Sequence, residues 1–138
     1  MFLTGVQALA RIPLQQLRAD REQGRSTAAF LSGYPGSPLA GLNFEIDKAR
    51  SLAPDLPIVH RPVLNEEHGA TAVMGSQLAP GQPDCVYDGI VGLWYGKAPG
   101  LDRAGDALRH AVFTGTSRHG GAVAIVGDDP AAKSSTLP

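Results

Sequence analysis

The sequence predicts an α/β fold: a doubly wound, mainly parallel sheet with helices on both faces. Three observations point there. Short apolar runs recur four times along the chain, and stretches with apolar residues at helical spacing lie between them. Each run is apolar at successive positions, which marks a strand covered on both sides rather than one half exposed. Strands alternating with helices in this way pack as a parallel sheet joined by right-handed crossovers.

The first element is a helix. Thr4 followed three positions later by Gln7 reads as a capping box, and Val6, Leu9, Ala10, Leu14 and Leu17 recur on one helical face. Pro13 lies inside this helix and lacks a backbone donor, so a kink or break is expected there, with Gly24 ending the helix. Ala28, Ala29, Phe30 and Leu31 form the first strand, followed by the loop Gly33-Tyr34-Pro35-Gly36-Ser37-Pro38. A helix from Pro38 then presents Leu39, Leu42, Ile46 and Ala49 before Pro54 stops it.

The order repeats. Pro57 to His60 is a second strand, residues 61–65 a loop, and Ala70, Val73, Met74 and Leu78 mark a third helix. Residues 90–94 make a third strand, residues 95–100 a loop, and a helix carries Leu101, Ala104, Leu108, Ala111 and Val112. Ala122 to Val126 is the fourth strand. The chain stops at Pro138, before any helix that could cover that strand, so residues 1–138 are expected to be a truncated part of a larger multidomain enzyme.

Composition narrows the function. Twelve basic and thirteen acidic residues give a formal net charge of −1, which offers no general attraction for nucleic acid or an anionic bilayer. The single Cys85 excludes an internal disulfide and a four-thiolate cluster made by this segment alone. His60, His68, His110 and His119 lack the spacing of a zinc site, so no metal ligand is expected. No apolar run approaches a membrane span and the first twenty residues carry no secretory leader, which predicts a cytoplasmic setting.

In an open parallel sheet, ligands bind beyond the carboxyl ends of the strands. That rule selects residues 33–38, 61–67, 95–103 and 127–136. Asn65, Glu66 and Glu67 open a helix, where carboxylates suit the backbone donors and the macrodipole, which is the ordinary reading of such acids; two adjacent acids at a ligand-facing edge also make a proton available for transfer. Ser37 reads as the cap of the helix beginning at Pro38, a position that also faces an incoming carboxylate. Lys97 and Arg103 read as solvated charges or as site cations, and Asp102 as the cap of the next helix. Gly127 to Ser134 falls one residue short of a phosphate-binding loop, with Ala132 at the second glycine position and Asp128 and Asp129 repelling an anion. A non-catalytic nucleotide-binding or subunit-interface module is therefore the alternative to an enzyme. No Gly-x-Ser-x-Gly elbow is present.

Four motifs in order, residues 32–38, Asn65-Glu66, residues 92–103 (Gly-Leu-Trp-Tyr-Gly-Lys-Ala-Pro-Gly-Leu-Asp-Arg) and residues 127–135, make the whole chain resemble the thiamine-diphosphate-dependent 2-oxoacid:ferredoxin oxidoreductases. The likeness is greatest to the long, fused-chain indolepyruvate ferredoxin oxidoreductases. The resemblance implies the start of their pyrimidine-binding module. It implies that Glu66 bonds the aminopyrimidine ring nitrogen and promotes the imino tautomer, with Asn65 and Pro35 also in the cofactor site and Glu67 at the surface. It places Ser37 near the substrate carboxylate and Lys97 and Arg103 in the substrate-facing loop. Electrons would pass through 4Fe-4S iron–sulfur clusters to ferredoxin while coenzyme A accepts the acyl group. Those clusters and the Mg2+–diphosphate anchor would lie outside this segment, and the parent enzyme would be a homo-oligomer. The isolated chain would be inactive. His68 and Gly69 depart from the more apolar residues usual after the Asn-Glu pair, and a helical Gly costs about 1 kcal/mol against Ala.

Overall fold

The computed structural model describes residues 2–36 and 39–127. The elements are α1 (Gly5–Glu22), β1 (Thr27–Gly33), α2 (Ala40–Ser51), β2 (Ile58–Pro62), α3 (Glu66–Leu78), β3 (Gly89–Gly96), α4 (Ala98–Arg103), α5 (Gly105–Thr114) and β4 (Gly121–Val126), with one 3-10 turn at Ala79–Gly81. The four strands form one sheet in the order β2-β1-β3-β4. Every pairing is parallel, with Leu31 beside both His60 and Leu93, and Trp94 beside Ala124.

Side chains alternate across the strands, and the helices cover both faces. On one face Ala29 and Leu31 of β1, Ile58 of β2 and Leu93 and Tyr95 of β3 pack with α1 and α2. On the other, Trp94 packs with Ala70 and Val73 of α3 and with Ala104 and Ala107 on the α4–α5 side. This is a small α/β domain with a four-stranded parallel sheet flanked by helices on both faces, consistent with a generic Rossmann-like fold.

The helix starts follow from local chemistry. Thr4 and Gln7 form the reciprocal capping box, with Gln7 N–H donating to Thr4 Oγ1 at 3.3 Å and Thr4 N–H to Gln7 Oε1 at 3.1 Å. The expected break at Pro13 does not occur: α1 runs through it. Proline removes one backbone donor, but Pro13 sits on the buried side of α1 among Ala10, Leu14 and Leu17, and burial of that face holds the helix together. Asp20 secures its far end, accepting from the Thr27 hydroxyl at 2.8 Å and from Gln16 at 2.9 Å.

Further local expectations differ from the structure. Asp102 lies inside α4, and α5 begins after Ala104 with no side-chain cap, because the expected single helix is split into two at Ala104. The loop after β3 is shorter than expected, since Tyr95 and Gly96 still pair within the sheet. Val112 is 84% exposed rather than packed, and in α3 the buried position is Gln77 instead of Leu78. β4 is a mostly exposed edge strand. Among the described residues no helix is long and apolar enough to cross a membrane.

Candidate functional site

Because all strands run the same way, residues following β1, β2, β3 and β4 meet at one edge. The start of α3 lies there. Asn65 adopts an extended backbone and its side-chain oxygen accepts from His68 N–H at 2.8 Å, which caps the helix and leaves the amide NH2 without a partner among the described residues. Glu66, the first helical residue, is 8% exposed, whereas Glu67 faces solvent. The two adjacent carboxylates therefore occupy different environments.

Tertiary contacts bury Glu66. The Trp94 indole N–H donates to the Glu66 backbone carbonyl at 3.0 Å. Gly69, one turn further along α3, lies directly on β1: a Cβ there would come within 3.2 Å of the Gly33 Cα and 3.1 Å of a Val63 methyl. The helix-propensity cost of Gly69 is the condition for this close approach. From the other side Gly100 of α4 abuts the Glu66 side chain. The Glu66 carboxyl group has no hydrogen-bond or ion-pair partner among the described residues.

The first loop and the third converge near this acid. Tyr34 and Pro35 are exposed beyond β1, and the Lys97 side chain reaches Gly36, its Cε lying 3.9 Å from where a Cβ would stand. Lys97 is half-buried. Arg103 is exposed at the end of α4 and makes no ion pair among the described residues. Ser37 and the segment from Asp128 to Ser134 lie outside the described residues. No group of three or more metal-ligating side chains occurs among the described residues.

One constellation at this edge joins residues that the sequence motifs do not bring together. His60 of β2 is buried, with Nδ1 2.9 Å from Asp47 Oδ1 on α2 and Nε2 3.0 Å from the Tyr95 hydroxyl on β3. In the tautomer that carries its hydrogen on Nδ1, the imidazole donates to the Asp47 carboxyl and accepts from the Tyr95 hydroxyl at Nε2. Burial, helped by the Asp47 charge, pushes the Tyr95 hydroxyl above its usual range and keeps it protonated. The chain ties α2, β2 and β3 together beneath the edge. Its sequence signals are a polar residue in an apolar run, at His60, and the place of Tyr95 in the 92–103 motif.

Fold and edge together define the class: an α/β domain that gathers a buried acid, a capping amide and a lysine at the carboxyl end of a parallel sheet. Compared with protein-family models, curated proteins and solved structures, the chain matches none.

Proposed function

We propose that this chain is the pyrimidine-binding part of a thiamine-diphosphate-dependent 2-oxoacid:ferredoxin oxidoreductase acting on indolepyruvate or a related aryl 2-oxoacid. The observation that carries the reading is Glu66: a buried acid at the ligand-facing edge whose carboxyl is not engaged by any described residue. Such a group fits a ligand that presents a weakly basic ring nitrogen, because a carboxyl at the sheet edge without a partner among the described residues can hydrogen-bond it. The ordered motifs of the sequence supply the rest of the reading.

Thiamine diphosphate, when bound, supplies the carbon nucleophile and electron sink for decarboxylating a 2-oxoacid. The residues of this chain would bind and orient it. Glu66 holds a proton toward the ring nitrogen. Asn65, whose amide NH2 remains after capping, and Pro35 on the facing loop line the same edge. Lys97 beside Gly36 offers a cation to the substrate carboxylate, with Ser37 and Arg103 assigned to substrate on the motif alone. Mg2+, the iron–sulfur clusters, coenzyme A and ferredoxin would engage other domains of a homo-oligomeric, cytoplasmic enzyme. The exposed β4 edge supports packing against such further polypeptide.

The test is Glu66→Gln in the enzyme that carries this module, with indolepyruvate-dependent ferredoxin reduction as the readout. The expected loss is about 100-fold or more. Normal turnover removes the carboxyl group from the mechanism.

A further inference from the structure

Glu66 is held from two sides by residues outside the set implied by sequence. On its backbone, the buried Trp94 indole donates to the carbonyl at 3.0 Å. A helical carbonyl at this position is already available to an amide one turn on. The indole bond is therefore an extra constraint that anchors the first residue of α3 to β3. On its side chain, Gly100 leaves room that no other residue type would leave: a Cβ there would stand 2.5 Å from Glu66 Cγ, 2.9 Å from Oε1 and 3.0 Å from Cδ. The carboxyl thus lies against the backbone of α4. That backbone is itself pinned, since the amides of Gly100 and Leu101 both donate to the Lys97 carbonyl, at 2.8 and 2.9 Å.

We propose that Trp94 and Gly100 are positioning residues for the Glu66 carboxyl, fixing from the backbone side and the side-chain side where the acid presents its proton. The proposal rests on the reading of Glu66 as the acid of the site. Trp94 and Gly100 belong to the same stretch as Lys97, so this segment seats the acid as well as contributing a cation. Gly105 provides an internal contrast. It begins α5, and a Cβ there would meet nothing within 4 Å.

The experiment compares Gly100→Ala, Trp94→Phe and Gly105→Ala by carbon NMR of the Glu66 carboxyl, assigned with Glu66→Gln, across a pH series on the full chain. Gly100→Ala and Trp94→Phe are expected to change the Glu66 resonance and its pH response while Glu67 stays as in the parent. Gly105→Ala changes neither. In the enzyme carrying the module, Gly100→Ala should lower kcat by about 10- to 100-fold with KM for the 2-oxoacid held, as expected for a misplaced group.

Should Gly100→Ala fail to fold, Glu66→Ala/Gly100→Ala is expected to recover the fold, because it removes the atoms that the new methyl meets. A folded Gly100→Ala with an unchanged Glu66 resonance overturns the proposal, and so does a double variant that stays unfolded. If Glu66→Gln leaves turnover intact while Gly100→Ala still moves the Glu66 resonance, the catalytic reading fails and the seating of the carboxyl stands.

Discussion

His60 and Glu66 are buried ionisable residues near the carboxyl ends of strands, on opposite faces of one sheet, and the fold treats them differently. Both nitrogens of His60 are engaged by protein groups, Asp47 and Tyr95, within the face covered by α1 and α2. The Glu66 carboxyl, on the α3–α5 face, has no such partner among the described residues and rests on a glycine. A buried polar group whose bonds are all internal stabilises its surroundings, whereas one held in place without a partner is available to a ligand. The apolar packing differs in the same sense. The α1–α2 face holds the larger cluster, with a groove of about 230 Å3 between its two helices at Ala10 and Ala49, while the α3–α5 face keeps a larger cavity of about 480 Å3 beside Trp94, Leu108 and Ala124. Val112 of α5, on the lining of that cavity, is exposed.

The largest test of this contrast is packing. Leu31→Ala, at the fully buried centre of the α1–α2 face, should cost about 2–5 kcal/mol in urea unfolding. Val123→Ala on the half-exposed β4 should change stability by no more than about 0.5 kcal/mol. Equal losses at the two positions would erase the distinction between a closed and an open region.

Next comes the hydrogen-bonded chain. Tyr95→Phe leaves His60 Nε2 without its donor and should cost about 1–3 kcal/mol at neutral pH. Its pH dependence has a definite sign. The Tyr95 hydroxyl is raised in the folded state, so the unfolded chain releases that proton first, and the associated stability is present below pH 10 and lost as pH climbs above it. Tyr95→Phe removes that alkaline component, measured by repeating the urea titration at several pH values. Ionisation of Tyr95 itself near pH 10 in the folded chain, read as the difference between the ultraviolet titrations of the parent and of Tyr95→Phe, would contradict the burial on which this rests.

The smallest effect is expected at the acid itself. Glu66→Gln keeps the shape of the side chain and breaks no described bond, so unfolding free energy should stay within about 0.5 kcal/mol of the parent. A loss comparable to that of Tyr95→Phe would reveal a structural partner for the carboxyl and remove the difference between the two residues.

Much of this was legible from local pattern. The four strands lie where the apolar runs place them, and the capping box at Thr4 and the helix start at Asn65 appear as expected, because each depends on residues within one turn of each other. Gly69 read as a cost became intelligible only beside Gly33, thirty-six positions earlier, since a close approach between two backbones has no local signature. Pro13 does not break α1, for the related reason that burial of a helix face outweighs one missing donor. Asp102 misled because splitting α4 from α5 at Ala104 left the acid inside the first of them.

The sequence by itself determined the class of fold, the direction of the sheet and the edge at which its loops gather, all of which follow from the period and order of apolar residues. Only the tertiary structure decided that Glu66 is enclosed and Glu67 is not, that Trp94 and Gly100 frame the acid, and that Asp47, His60 and Tyr95 join into one chain. Those pairings depend on strand register and helix crossover, which bring together residues separated by 13 to 35 positions. Contacts of that kind are set by how the layers pack, and no stretch of sequence read alone contains them.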